Sequence, residues 1–371
     1  MPSSSRTSVV LAPYTTMRVG GPAASFAEVE TADELVELVG EADRAHTPLF
    51  VLGGGSNVVV GDDGFAGQVI HTRGTAIEAL SSEPNEDGRI RVRVGVGTPW
   101  DAVVAWAVEH GLGGIEALSG VPGQIGSAVM QNLGAYGQEV GTHLESVRLL
   151  DRADGSVRQW DASELQLGYR TSLLRDSMDG ALERPWGPSP RWIVLDATFA
   201  LEPSNTSVVH HAQLAQALGC PVGATMPLAE IRNAVLDVRS AKGMVGDEDA
   251  GNTPRYDCWS SGSFFTNPVL TNEEADRLLP DDAPRYAGTQ PGTVKTSAAW
   301  LIEHAGFAKG FGLHGADSRA TLSTLHTLAL TNRGHAQAAD IVELARAVQA
   351  GVYERFGVHL EPESVLVGIT L

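Results

Sequence analysis

The stretch TADELVELVGEADRAH (31–46) repeats apolar residues at helical spacing, and Thr31 with Glu34 forms the capping box that opens such a helix. TPLFVLGGGSNVVVG (47–61) reads as strand, glycine turn, strand, and RIRVRVGVGT (89–98) alternates arginine with isoleucine or valine as a half-buried strand does. TPWDAVVAWAVEHGLGG (98–114) starts with Pro99 at a first-turn position and ends at Gly111, which bounds a second helix. RWIVLDATFAL (191–201) is a strand, TSAAWLIEHAG (296–306) a helix and HTLALTNRG (326–334) a strand. In AADIVELARAVQAGVYERFGV (338–358), Ile341, Leu344, Ala345, Val348, Val352 and Phe356 share one face, and Gly357 stops the helix. This mixture predicts an α+β fold. RDSMDGALERPWGPSP (175–190) reads as loop, and seams are expected near residue 72 and near residue 242, before the polar GDEDAGNTPR.

At 371 residues the chain is long enough for two or three domains, and 43 % apolar residues describe a soluble globular protein. No apolar run reaches the roughly 18 residues that span a bilayer, and the N-terminus reads as carrying no signal peptide. Cys220 and Cys258 alone exclude a disulfide framework or zinc-finger spacing, so a cytoplasmic setting is expected. The net charge of −19 argues against nonspecific nucleic-acid binding, which needs clustered lysine and arginine, and otherwise speaks of solubility. Nothing in the sequence explains why the acidity is so strong. An anionic ligand would have to meet the few basic residues gathered in one place.

Two glycine-rich segments carry the first chemical signal. Gly53, Gly54 and Gly55 follow an apolar strand and precede Ser56 and Asn57. Consecutive glycines allow neighbouring N–H groups to point at one anion, or simply form a tight turn. No G-K-[ST] follows, so this is not a P-loop, and the VVV after it favours a strand over the helix of a dinucleotide fingerprint. ALSGVPGQIGSAVMQNLGAYGQEVG (117–141) mixes glycines with Ile, Val and Met, which suits close approach of backbone to a large flat ligand. Two such segments fit a dinucleotide better than a mononucleotide. In CWSSGSFFTNPVL (258–270), Ser263 stands between a glycine and two phenylalanines; it either caps a turn ahead of Asn267–Pro268 or delivers a proton in a dry pocket.

With TTMRVGGPA (15–23), LGYRTS (167–172), RSAKGM (239–244), SGSFFTNP (261–268), VKTSAAWLIEHAGFAKG (294–310) and GVHLEPE (357–363), these segments resemble, in order and over nearly the whole chain, the UDP-N-acetylenolpyruvoylglucosamine reductases. The resemblance implies an FAD-binding fold of two subdomains, of the vanillyl-alcohol-oxidase type, with a C-terminal α+β substrate domain. The implied bounds are 1–72, 73–242 and 243–358, with the tail 359–371 packing back on the first. It implies FAD as cofactor, NADPH as co-substrate and a UDP-sugar enolpyruvyl ether as substrate; no metal is expected, since the His210–His211 pair has no third ligand at metal-site spacing, nor nucleic acid or membrane, and a monomer is expected. The cofactor residues carried over are Gly53, Gly54, Gly55, Ser56, Asn57, Ser119, Pro122, Gly123, Gly126, Ser127 and Asn132. Arg170 is implied to hold the substrate carboxylate as negative charge builds on it, with Tyr169 beside it; a charge fixed in place beforehand lowers that barrier. Ser263 is implied to protonate the enol intermediate and Glu363 to help polarise it. Tyr136, Lys242, Asn267 and Lys295 are the implied substrate contacts, the lysines at phosphates.

Three points depart from the family pattern or stay open. Many relatives continue Glu-Val-Arg after the glutamate, whereas this chain has Ser364–Val365, which leaves the support of Glu363 unexplained; Glu361 is a nearby decoy. Near residue 211, where some relatives carry a stacking tyrosine, the chain has His210 and His211, one or the other of which is expected to substitute. A nucleotide-binding protein without redox chemistry and a flavin oxidase remain alternatives; a yellow protein and bleaching by NADPH without peroxide distinguish them.

Overall fold

A computed structural model of the chain describes residues 5–180, 185–245, 256–288 and 290–371. Residues 181–184 of the expected loop, and the polar stretch 246–255 at the expected seam, lie outside the described residues. The chain divides into two units: Met1–Val9, Ala23–Gly54 and Ala66–Ser240 form the first, and Val10–Pro22, Gly55–Phe65 and Ala241–Leu371 the second. The boundary runs through the first glycine segment.

In the first unit, a four-stranded sheet has the order Arg6–Val10, Pro22–Val29, Phe65–Thr72, Leu49–Leu52. Its last two strands are parallel, with Val51 opposite Ile70. The capping-box helix is present as Ala32–Arg44: the Thr31 hydroxyl accepts from Glu34 N at 3.2 Å and the Glu34 carboxylate accepts from Thr31 N at 3.2 Å. Leu35, Leu38 and Val39 bury its inner face against Ala27, Val29 and Ile70. A second, antiparallel sheet runs Val157–Asp161, Leu144–Asp151, Trp192–Pro203, Ile90–Gly95, Ile77–Ala79. The alternation in RIRVRV holds, because Val92 and Val94 are buried while Arg93 is exposed. The helix Trp100–Glu109 packs its Trp100, Val103 and Val104 into the same core as Val92, Val94 and Phe199. Gly111, at φ 64, follows its end as expected.

Among the helices of this unit that the sequence pattern did not reveal, two bear on the site. Ile125–Met130 interrupts the second glycine segment, where Gly126 packs closely on Val96: a Cβ there would lie 3.0 Å from Val96 Cγ2. Leu228–Ala241 buries Leu228, Ile231, Ala234, Val235 and one arginine, Arg239.

The second unit is built around the helix Ala338–Phe356, whose six predicted face residues are all buried and which ends at Gly357 with φ 68. Asp62 accepts the N–H groups of Ala338 and Ala339 at 2.8 and 2.9 Å, satisfying the open start of this helix. Its core includes Phe264, Phe265, Leu301, Ile302, Leu322 and Leu330. The strand expected at 326–334 narrows to Leu330–Asn332, paired with Ala320–Leu322. A three-stranded sheet joins Val269–Thr271, Thr293–Lys295 and Tyr286–Ala287, and the tail strand Val365–Val367 runs parallel to Val58–Val60. Among the described residues, no helix is long and apolar enough to cross a membrane.

Candidate functional site

In the first unit the two glycine segments meet backbone to backbone. A Cβ on Gly54 would sit 3.3 Å from Gly123 Cα, and one on Gly53 would sit 2.9 Å from Gln124 Oε1. That oxygen accepts from the Thr72 hydroxyl at 2.7 Å, and Gln124 Nε2 donates to Thr72 O at 3.0 Å. Gly123 itself adopts φ 116, a value side chains rarely reach. Beside this contact lies a cavity of about 510 Å³, counted with its open mouth, lined by Val51, Gly53, Gln124, Gly126, Ser127 and Trp192 among others. Its glycine edge and apolar floor have the character of a site for a large flat cofactor with a phosphate end, so the residues present fit a flavin nucleotide. Several expected cofactor residues also serve the frame. Ser119 donates to Glu116 O at 2.6 Å and Ser127 to Gln124 O at 2.9 Å. Asn132 donates to Gly168 O at 3.0 Å and accepts from Gly141 N at 2.8 Å. Pro122 is partly exposed in the turn before Gly123.

Tyr169 and Arg170 occupy the tip of a tight turn closed by Gly168 and Thr171. Arg170 has φ 57, an uncommon conformation for a residue with a side chain. Its Nη2 donates to Gly134 O at 2.8 Å and its guanidinium carbon lies 5.7 Å from the Tyr169 ring centre. Asn132, by bonding Gly168, ties this turn to the end of the glycine segment. Tyr136 and Gly137, at φ 47 and 86, form the two-residue turn of a hairpin in which Ala135 faces Gln138. Paired positive φ values are the mark of a type I′ turn, which presents the tyrosine at the tip. The His211 ring meets Tyr136 edge-on at 5.4 Å, and His210 is exposed.

Sequence reasoning missed Arg239. It lies on the apolar stripe of its helix with Ile231 and Val235, its Nε donates to Gly120 O at 3.1 Å, and it hydrogen-bonds the Tyr136 hydroxyl. The available signal was an arginine at i+4 and i+8 from two apolar residues. The same helix grips Gly120 through a second arginine. Arg232 forms a two-pronged bond to Asp101 (2.6 and 2.8 Å), whose Oδ1 also accepts from Gly120 N at 2.6 Å. Burial opposes the Asp101 charge, but the bonds from Arg232 and Gly120 prevail and hold its carboxyl below the usual range. A depressed carboxyl adds stability above its unfolded pKa and loses it as pH falls through the folded value. Arg232→Leu is thus expected to lower stability at neutral pH by up to about 1 kcal/mol. The gap should close in strong acid, and melting curves of both proteins across that range check it.

The second unit holds the other expected residues. Gly55, at φ 60, leaves no room for a side chain, since a Cβ would lie 2.0 Å from Tyr14 O. Its carbonyl accepts from Thr16 N at 3.1 Å, and the Thr16 hydroxyl donates to Ser260 O at 2.6 Å. Ser56 is buried next to it. Ser263 is partly exposed, and its hydroxyl has no hydrogen-bond partner among the described residues. Phe264 and Phe265 are 0 % and 1 % exposed and stand edge-on to each other at 5.0 Å, so they anchor the segment in the core. Gly262 turns at φ 77 with open space where a Cβ would stand, so conformation alone demands glycine. Glu363 N donates to Phe264 O at 2.8 Å, which brings the expected glutamate beside the expected serine. Asn267 Oδ1 accepts from Ala298 N at 2.9 Å, at the start of the helix Ala298–His304. Lys295 lies in the middle strand of its sheet between Val269 and Tyr286, and Lys242 is partly exposed after the helix Leu228–Ala241.

Comparison with known proteins gives consistent matches. Residues 23–161 match the model of an FAD binding domain, and residues 253–367 that of the UDP-N-acetylenolpyruvoylglucosamine reductase C-terminal domain. The reductase of that name from Thermobifida fusca is 44 % identical over 100 % of both chains. That of Nocardia farcinica is 48 % identical over 99 % of this chain and 90 % of its own. A crystal structure of the Thermus caldophilus enzyme covers 98 % of each chain at 27 % identity, with a TM-score of 0.62.

Proposed function

Because the chain belongs to the UDP-N-acetylenolpyruvoylglucosamine reductase family, we propose a reading of its site as that of an FAD-dependent reductase in peptidoglycan precursor synthesis. Its substrate is UDP-N-acetylglucosamine enolpyruvate, its product UDP-N-acetylmuramate, and its reductant NADPH. The observation that carries this reading is the backbone contact of Gly54 with Gly123 beside the cavity. Gly53 to Asn57 and the segment Ser119–Asn132 hold FAD, which when bound supplies the hydride for the vinyl carbon.

The rest of the chemistry belongs to side chains. Arg170 meets the substrate carboxylate and stabilises the negative charge that builds there; its strained turn fixes the guanidinium before that charge develops. Ser263 delivers a proton to the carbon adjacent to the carboxylate, from a hydroxyl that the described chain leaves uncommitted. Glu363, held at the Phe264 carbonyl, polarises the intermediate. Lys242 and Lys295 bind phosphate oxygens, Tyr136, Tyr169 and Asn267 orient the sugar nucleotide, and His211 takes the place of a stacking tyrosine through its edge contact with Tyr136. Segments 1–72 and 73–242 serve the cofactor and 243–358 the substrate, in a cytoplasmic monomer.

The deciding experiment reduces the purified protein anaerobically with NADPH and then adds the enolpyruvyl ether. Bleaching followed by return of colour supports the reading; a colourless protein that takes up no FAD sinks it. Gly54→Val is expected to strip most FAD from the purified protein, because a branched side chain must push the Gly123 backbone at a cost of about 1–3 kcal/mol. Flavin absorbance per protein measures the loss.

A further inference from the structure

The tail around Glu363 is bonded more closely than the catalytic reading requires. Thr266 N donates to Glu361 O at 3.0 Å, Phe265 faces Pro362 in an antiparallel bridge, and Glu363 N donates to Phe264 O at 2.8 Å. Both bonds lie on the C-terminal side of Ser263. On the other side the chain turns at Gly262, at φ 77, whose N–H donates to the Ser260 hydroxyl at 3.3 Å. A side-chain bond also reaches across that turn. The Ser364 hydroxyl donates to the Ser261 hydroxyl at 2.8 Å, and the two residues are 2 % and 6 % exposed. Asn57 completes the frame: its Nδ2 donates to Glu363 O at 3.1 Å and its carbonyl accepts from Val365 N at 3.0 Å. Val365 is opposite Val58 in the parallel pair, so the tail position that lacks a cation is given over to sheet pairing.

We propose that Ser261 and Ser364 are positioning residues for the reaction. Their buried hydroxyl pair closes the loop around Ser263 and fixes it relative to Glu363; the inference rests on the catalytic reading of those two residues. Apolar side chains of equal size would fill the same space at similar stability. A hydrogen bond, unlike an apolar contact, has a narrow range of distance and angle. The hydroxyls therefore contribute alignment, and a misplacement near 1 Å at reacting groups slows chemistry by about a hundredfold.

The test uses holoenzyme variants Ser261→Ala, Ser364→Ala, their double, and Ser263→Ala as reference, with both half-reactions followed anaerobically. In each single variant, flavin reduction by NADPH stays at the wild-type rate while reoxidation by the enolpyruvyl ether slows about ten- to a hundredfold. The double variant is no slower than the slower single, and the melting temperatures couple in the same way, because the two hydroxyls act as one unit. Multiplying losses in the double, unchanged reoxidation in the singles, or equal slowing of both half-reactions each overturn the proposal. Fast reoxidation in Ser263→Ala removes the catalytic reading itself and the proposal with it, whereas a slow Ser263→Ala beside unaffected singles removes the proposal alone.

Discussion

Ser263→Ala is expected to reduce its flavin with NADPH at nearly the wild-type rate and to reoxidise it with substrate about a hundred- to ten-thousandfold more slowly, the range lost with a general acid. The separation of the two half-reactions is the point of the prediction. Hydride transfer from NADPH asks nothing of a protein hydroxyl, whereas completing the saturated product requires a proton at the carbon that Ser263 is proposed to serve. Loss of the hydroxyl leaves the frame intact. Its oxygen bonds no described residue, and the segment is held by the buried rings of Phe264 and Phe265 and by the bonds of its backbone to Thr16 and Glu363. Rapid mixing under anaerobic conditions measures each step, and equal losses in both would make Ser263 a structural residue.

The second large effect is expected for Arg170→Lys. Lysine keeps the charge but not the planar fork, so it cannot hold Gly134 O with one nitrogen while offering two to a carboxylate. Removing a preorganised electrostatic contact costs about 3 to 4 kcal/mol, or about a hundred- to a thousandfold in turnover. Stability should change little, because the strain of the positive φ is the same for either side chain and Gly168 and Thr171 close the turn through backbone bonds. Steady-state turnover with a melting curve beside it decides the matter. A lysine variant with wild-type turnover takes Arg170 out of the mechanism.

Regular elements were legible where local pattern and final environment agree. The capped helix Ala32–Arg44, the alternating strand Ile90–Gly95 and the long helix ending at Gly357 each combine a period with a terminator. The helix Ile125–Met130 was not, because it is short and its Gly126, set against Val96, interrupts its apolar period. Arg239 escaped for a related reason: an arginine on an apolar stripe has meaning only once Gly120 O and the Tyr136 hydroxyl are found around it. Ser364 stood only as a departure from the family pattern, because its partner lies 103 positions away in the chain.

The sequence by itself determined the family, the cofactor class and the identity of the chemical groups, since ordered motifs of glycine, serine and arginine are a property of the chain alone. Only the tertiary structure decided which side-chain amides and hydroxyls are already committed: Asn132 to the Arg170 turn, Asn57 to the Glu363 carbonyl, Ser364 to Ser261. The reason is physical. A polar group's availability depends on the partners that folding brings within about 3 Å, and those partners come from anywhere along the chain.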